Sequence, residues 1–174
     1  MQITTQAAFN LVNALSSLNG YQGTIKDGDK ETITQKPYRF DARTRLTIAK
    51  NLAKLQAVVD AYQKVRGGLI MQISSGKTEI VPPPPSEKDA PDYKARYADF
   101  TGQIAEFNRI NQMFLDERHE IGLLTIPEAG LALDVNPIPL STLAQMAIIM
   151  EGEGWSASEE LIAFSRPATA RLNH

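Results

Sequence analysis

The stretches IAKNLAKLQAVVDAY, residues 48–62, and YKARYADFTGQIAEFNRINQMF, residues 93–114, decide the fold. In both stretches the apolar residues follow one another at strictly alternating intervals of three and four. This spacing averages about 3.5 residues and places the apolar side chains in a narrow stripe along one side of a helix. The sequence therefore predicts two long helices that pair as an antiparallel hairpin with coiled-coil contacts. The two stripes comprise Ile48, Leu52, Leu55, Val59 and Tyr62, then Tyr93, Tyr97, Phe100, Ile104, Phe107, Asn111 and Phe114.

The first long helix has a well-marked start and an ambiguous end. Asp41 is a good N-cap, so we expect the helix to begin at about Ala42. Gly67-Gly68 costs roughly 1 kcal/mol per glycine inside a helix. The apolar stripe continues beyond the glycine pair, which favours a helix that extends to about Ile73. The alternative is a helix that ends at Arg66 and is followed by a short strand.

A proline-rich segment separates the two long helices. Residues 74–89 include four consecutive prolines, 82–85, which exclude helix and favour polyproline II. Asp89-Ala90-Pro91 then indicates the start of the next helix, which extends to about Glu117. The segment is therefore expected to form the tip loop of a hairpin over about 42–117. A spacer and a docking segment are both compatible with its composition.

Shorter elements flank the hairpin on both sides. Thr4 or Thr5 caps a first helix, and Asn19-Gly20 ends it. β-Branched residues on both sides of Asp27-Gly28-Asp29 predict a β-hairpin. A turn at 127–130 predicts a second β-hairpin. The expected bounds are 5–18 for the first helix, 21–34 and 120–135 for the β-hairpins, and 141–150 for a last short apolar helix.

These elements predict the α+β class: a long antiparallel helical hairpin with a small β head made of two hairpins, plus short flanking helices. If the long helices are antiparallel, both β-hairpins lie at one end and the proline-rich tip at the other. We expect residues 1–155 to form a single domain and residues 156–174 to form a C-terminal extension.

The composition excludes several classes of function. The chain has 174 residues, a formal net charge of −2 and no cysteine. A near-neutral chain offers no basic field for nucleic acid or an anionic membrane. The absence of cysteine removes disulfides, thiolate catalysis, zinc–cysteine sites and iron–sulfur clusters. The N-terminus lacks the pattern of a signal peptide, and the apolar segment 143–150 is too short to span a bilayer. We therefore expect a soluble protein.

Two clusters resemble chemical motifs, and neither meets the requirements of its motif. Gly76-Lys77-Thr78 resembles the end of a phosphate-binding loop, but Met71 stands where that loop needs a glycine, and four prolines follow. The run Asp116 to Glu120 places carboxylates beside His119, with Asp116 and Glu120 on one helix face. It lacks a third metal ligand. We expect no catalysis, no metal and no cofactor.

Four segments carry a resemblance to a known family. They are LNG at 18–20, RFDARTRLTIAKNLAKLQ at 39–56, FLDERHEIGLLTIP at 114–127 and PIPLSTLAQM at 137–146. Together they resemble small uncharacterised proteins encoded in tailed-phage genomes, over roughly residues 5–150. The hairpin at 21–37, the proline-rich linker and the C-terminal extension depart from the family's pattern. The family has no catalytic residues to transfer. The resemblance implies a phage context, in the virion or in the host cytoplasm before assembly.

The expected function is that of a non-enzymatic phage protein that acts through protein–protein contacts, as a structural or accessory component of a virion. The alternative is a small phage inhibitor that binds a host protein or a signalling ligand. The expected partners are further copies of the chain, as a homo-oligomer, or other phage structural proteins. Sheet edges and the last apolar helix supply the candidate interface. Its residues are Leu143, Met146, Ile149, Met150, Ile25 and Ile33.

Overall fold

The structure, a computed structural model, describes residues 1–27 and 30–151, without the side chains of 25–31. This part of the chain is α+β, as predicted, with three sheets of two strands each. The predicted extension 156–174 and residues 28–29 lie outside the described residues. The helices are α1 (Thr5–Ser17), α2 (Ala42–Ile73), α3 (Tyr93–Asp116), α4 (Glu128–Leu131) and α5 (Leu140–Met146). The strands are β1 (Gln2–Thr4), β2 (Tyr21–Asp27), β3 (Lys30–Lys36), β4 (Arg118–Glu120), β5 (Ile126–Pro127) and β6 (Met150–Glu151).

Contacts divide the chain into two compact units. Unit 1 contains Met1, Ala7–Gln56 and the described residues from Ile121 onward. Unit 2 contains Gln2–Gln6 and Ala57–Glu120. The single domain expected over 1–155 stays a prediction.

The core of unit 1 includes the apolar face of α1. Ala8, Leu11 and Leu15 are buried at intervals of three and four residues, which places them on one side of the helix. Leu18 is buried just after the helix ends. The predicted first helix is thus confirmed in place. The other buried apolar residues of unit 1 include Tyr38, Ile48, Leu55, Ile121, Ile126, Leu131, Ile138, Leu143, Met146, Ile149 and Met150.

The first predicted β-hairpin is confirmed. β2 and β3 pair antiparallel, from Tyr21 opposite Lys36 to Asp27 opposite Lys30. The base of this hairpin packs on buried Tyr38, whose ring centroid lies 5.0 Å from that of Tyr21. Burial raises the pKa of the Tyr38 hydroxyl. One face of the hairpin carries only exposed side chains among the described residues, those of Gln22, Thr24, Ile33 and Gln35.

The second predicted β-hairpin is wrong. Residues 118–127 supply strands to two different sheets, because β4 pairs antiparallel with β1 and β5 pairs in parallel with β6. The short helix α4 replaces the expected turn, and Ala132, at a φ of 45°, ends it. The physical reason is that contacts with distant segments outweigh the local turn signal. Ile126 and Leu131 are both fully buried, and β1 and β6 supply the backbone hydrogen bonds that β4 and β5 need.

Two buried asparagines hold irregular backbone in unit 1. The Asn51 side chain donates to the Leu124 carbonyl at 2.8 Å and accepts from the Leu124 N–H at 2.9 Å. Asn136 pairs in the same way with Arg39, at 3.0 and 2.8 Å, and also donates to the Leu131 carbonyl at 2.7 Å. A side-chain amide carries both a donor and an acceptor, so it replaces a missing strand partner.

α2 continues through the glycine pair to Ile73, so the alternative end at Arg66 is wrong. At its start, Asp41 Oδ1 accepts from the Thr44 N–H at 2.6 Å. Hydrogen bonds from Thr44 lower the pKa of Asp41. A carboxylate with a lowered pKa stabilises the fold above its unfolded pKa, and that contribution is lost as the pH falls through the folded pKa.

Glycine substitutions in the two units should have opposite effects. Gly67→Ala or Gly68→Ala should stabilise the protein by about 0.5–1 kcal/mol, because alanine loses less entropy in a helix. A Cβ at either position meets no atom within 4 Å. Gly130→Ala should destabilise it, since the new Cβ would overlap the Thr44 hydroxyl. Urea unfolding gives the free energy of unfolding of all three variants. Equal unfolding midpoints for Gly67→Ala and Gly130→Ala would contradict the predicted opposite effects.

Leu55 is the fully buried member of the first stripe. Leu55→Asp should lower the free energy of unfolding by several kcal/mol, because it buries a charge without a partner. Ala53→Asp places the same side chain at an exposed position of the same helix and serves as the control. Thermal unfolding compares the two, and indistinguishable melting temperatures would show that Leu55 is not in the core.

Candidate interaction surface

The 24-residue helix α3 has no buried side chain. Phe100, Ile104 and Phe107, which were predicted to be buried against α2, are only half-buried. Tyr97 is 48% exposed and Met113 is 63% exposed. Leu55 and Val59 of α2 are buried as predicted, whereas Leu52 and the α3 residues are only half-buried; the burial of these residues against one another stays a prediction. Unit 2 therefore covers the apolar stripe of α3 only in part, and Tyr97 is its exposed member, whereas Met113 lies on the opposite side of the helix.

Two contacts join α3 to the later part of α2 within unit 2. The Tyr62 hydroxyl donates to Asn111 Oδ1 at 2.6 Å. One helical turn away, the Arg66 guanidinium lies 5.6 Å from the centre of the Phe107 ring. Tyr62 thus contacts Asn111, and the later α2 residue Arg66 contacts the earlier α3 residue Phe107. This order is the one that neighbouring antiparallel helices give. Asn111, which the sequence places in the stripe, is a half-buried hydrogen-bond acceptor there.

Three aromatic rings form a row at the start of α3. The ring centroids of Tyr93 and Tyr97 are 6.1 Å apart, and those of Tyr97 and Phe100 are 5.9 Å apart. Such distances are those of interacting aromatic pairs. The neighbouring Arg96 is already engaged, since it donates to Glu87 at 2.7 Å and also lies 3.0 Å from an Asp92 oxygen. The row is therefore an aromatic patch beside an arginine whose charge is already paired.

The proline-rich segment packs on α3. Residues 82–84 line a cavity of about 240 Å³ together with Arg96, Phe100 and Gln103. Pro84 has φ −57° and ψ 135°, the polyproline II conformation, and a 3₁₀ turn at Pro85–Glu87 follows. The segment thus covers part of the first half of α3. The ion pair between Glu87 of the segment and Arg96 of α3 is a further contact between them.

The structure distributes the six predicted interface residues between the core and the surface. Leu143, Met146, Ile149 and Met150 are buried in unit 1, so the expected apolar patch on the last helix is wrong. The expectation failed because unit 1 has a larger core than two β-hairpins provide. Ile33 is 69% exposed on β3. The side chain of Ile25 lies outside the described residues.

Gly76-Lys77-Thr78 follows a helix and precedes the proline-rich segment. Ser75, at a φ of 55°, and Gly76, at 94°, form the turn after α2. The Ser74 hydroxyl donates to the Lys77 carbonyl at 2.7 Å, which closes this turn. A phosphate-binding loop lies between a strand and a helix. The local structure here is therefore that of a helix-ending turn.

Asp116 and Glu120 do not share a helix face, because α3 ends at Asp116 and β4 includes Glu120. The sequence-based expectation was wrong on this point. The strand pairing with β1 places a ring nitrogen of His119 at 2.7 Å from the Thr5 hydroxyl. Across the described residues, no three His, Cys, Asp or Glu side chains come close enough together to hold a metal ion.

No protein-family model, curated protein or solved structure matches this chain. Within residues 1–27 and 30–151, the helices are all too short or too polar to cross a membrane.

The Tyr62–Asn111 hydrogen bond should appear as a coupling between the two helices. In a double-mutant cycle, Tyr62→Phe and Asn111→Ala should couple by about 0.5–1.5 kcal/mol, the usual net value of such a bond. Thr101→Ala is the control partner, because the Thr101 hydroxyl donates within its own helix to the Tyr97 carbonyl. Urea unfolding supplies the free energies. A coupling no larger than that of the control pair would contradict the contact.

Proposed function

We propose that this protein performs no chemistry of its own and acts through protein–protein contacts, as a structural or accessory component of a tailed-phage virion. The observation that carries the proposal is the apolar face of α3, a 24-residue helix without a buried side chain. The phage setting rests on the sequence resemblance over roughly residues 5–150. The protein's working location is then the virion, or the host cytoplasm before assembly.

An exposed apolar helix face supports a partner because helices in proteins are stabilised mainly by the packing of that face. Unit 2 provides little such packing. Of the α2 residues in this unit, Val59 and Leu69 are buried, whereas Val65 and Met71 are 45% and 49% exposed. Two helices form one layer, and a stable domain needs a second layer against it.

We propose that α2 and α3 form the predicted antiparallel hairpin and that a second copy of the chain supplies the missing layer. Two such hairpins related by a two-fold axis give a four-helix arrangement, which closes on itself. At about 1.5 Å per residue, α3 is about 36 Å long, and two adjacent helices are about 20 Å wide. Such a face covers about 700 Å², close to the roughly 800 Å² that each partner buries in a standard interface.

Charge and composition fit contact between identical copies. The formal net charge of −2 is small, so two copies repel each other only weakly. Tyr97, the exposed member of the α3 stripe, is of a residue type enriched in the centres of interfaces. A virion contains its structural proteins in many copies, and a surface that self-associates is suited to repeated packing of identical chains.

Charged substitutions on α3 should separate the copies. The variant Tyr97→Glu should be a monomer by light scattering at concentrations where the parent is a dimer or larger, because a buried carboxylate opposes association. Leu140→Glu is the matched control, since Leu140 is 81% exposed in unit 1 and should leave the assembly unchanged. Ile33→Glu tests the β-hairpin surface separately.

A monomeric parent protein would contradict self-association. If Ile33→Glu separates the copies and the α3 substitution does not, the interface lies on the β2–β3 hairpin and not on α3. The virion setting has its own test. Mass spectrometry of particles produced from the encoding genome should detect the chain in many copies per particle. Its absence from purified particles would contradict a structural role.

A further inference from the structure

Unit 2 contains a cavity of about 350 Å³. α2, α3 and residues 78–80 each contribute to its wall. This volume lies within the range of small-molecule sites, which are mostly apolar with a few polar groups. The apolar lining consists of Ile70, Ile80, Ile104 and Phe107, and the polar lining of Arg66, Thr78 and Glu79.

Arg66 supplies the positive charge among the residues that line this cavity. Its guanidinium lies above the Phe107 ring, and it makes no hydrogen bond or ion pair with any described residue. The two arginines of α3 differ from Arg66: Arg96 is paired with Glu87 and Asp92, and Arg109 with Glu106. A half-buried guanidinium without an acceptor is disfavoured, and an anion at this position would satisfy it.

We propose that this cavity binds a medium-chain aliphatic monocarboxylate. The carboxylate accepts hydrogen bonds from the Arg66 guanidinium, and the alkyl chain lies against Ile70, Ile104 and Phe107. Glu79 at the cavity adds a negative charge, which disfavours a doubly charged phosphate relative to a single carboxylate. A volume of about 350 Å³ accommodates an unbranched alkyl chain but not several turns of a helix about 10–12 Å wide.

Three ligands with the same alkyl chain separate the contributions of charge and chain. Decanoate, 1-decanol and decyl phosphate are titrated by calorimetry below their micelle concentrations. Decanoate should bind to one site per chain, at least about tenfold more tightly than decanol, as a charge-assisted hydrogen bond predicts. Decyl phosphate should bind more weakly than decanoate. Amide NMR signals of residues 66–70 and 104–107 should shift on addition of decanoate.

Four single variants locate the site. Arg66→Gln should weaken decanoate binding about tenfold or more and leave decanol binding unchanged. Arg109→Gln is the matched control, because Arg109 is an exposed residue paired with Glu106 and should not alter binding. Glu79→Gln should tighten decanoate binding. Ile80→Ser should weaken both decanoate and decanol, since Ile80 lies on a loop of the apolar wall.

Equal decanoate affinity for the parent and Arg66→Gln would overturn the proposal. So would decanol binding as tightly as decanoate, or amide shifts confined to other residues. Light scattering of each sample reports self-association separately. If the parent protein self-associates but does not bind decanoate, only the carboxylate site is contradicted. If the parent protein binds decanoate but is a monomer, only the proposed assembly is contradicted.

Discussion

Burial of an apolar helix face is the constraint on which unit 2 depends. A long helix gains little from hydrogen bonds that water also provides, so its stability comes from covering its stripe. α3 keeps its stripe only half covered, by α2 on one side and by the proline-rich segment near its start. The aromatic row, the fastened proline segment and the Arg66 cavity all lie along this incompletely covered helix. The two proposals made for unit 2 follow from the same deficit of internal packing.

Unit 1 meets the same constraint internally. Its helices and short strands bury Leu11, Leu15 and Met146 almost completely. Where the chain is irregular, Asn51 and Asn136 satisfy the backbone instead of a sheet. A buried amide with all its hydrogen bonds made fixes one arrangement of its neighbours. Unit 1 covers its apolar residues, whereas α3 leaves its stripe partly exposed. For this reason we place the proposed protein–protein contact on α3.

Local signals in the sequence predicted the elements that local chemistry controls. The Asp41 cap and the continuing stripe placed both ends of α2, and β-branched residues around the Asp-Gly turn placed β2 and β3. Elements that depend on distant partners were missed. The β1–β4 and β5–β6 pairs join residues more than 20 positions apart, and no spacing rule links them. Asn51 was missed for the same reason, because its partner Leu124 lies in a segment without regular structure.

The candidate surface shows the same division between local and long-range information. The sequence identified the stripe of α3 from its period, but the extent of burial depends on how many layers the fold supplies. It therefore predicted a buried Phe107 and an exposed Met146, whereas in the structure Phe107 is half-buried and Met146 is fully buried. Periodicity shows which face of a helix is apolar and not what covers that face.

Hydrogen–deuterium exchange at several protein concentrations reports whether another molecule covers α3. If a second copy packs on this helix, amide protection over residues 93–116 rises with concentration, whereas protection in α1 and in the core of unit 1 stays constant. Exchange over residues 93–116 that is fast and independent of concentration would contradict a second copy on this helix.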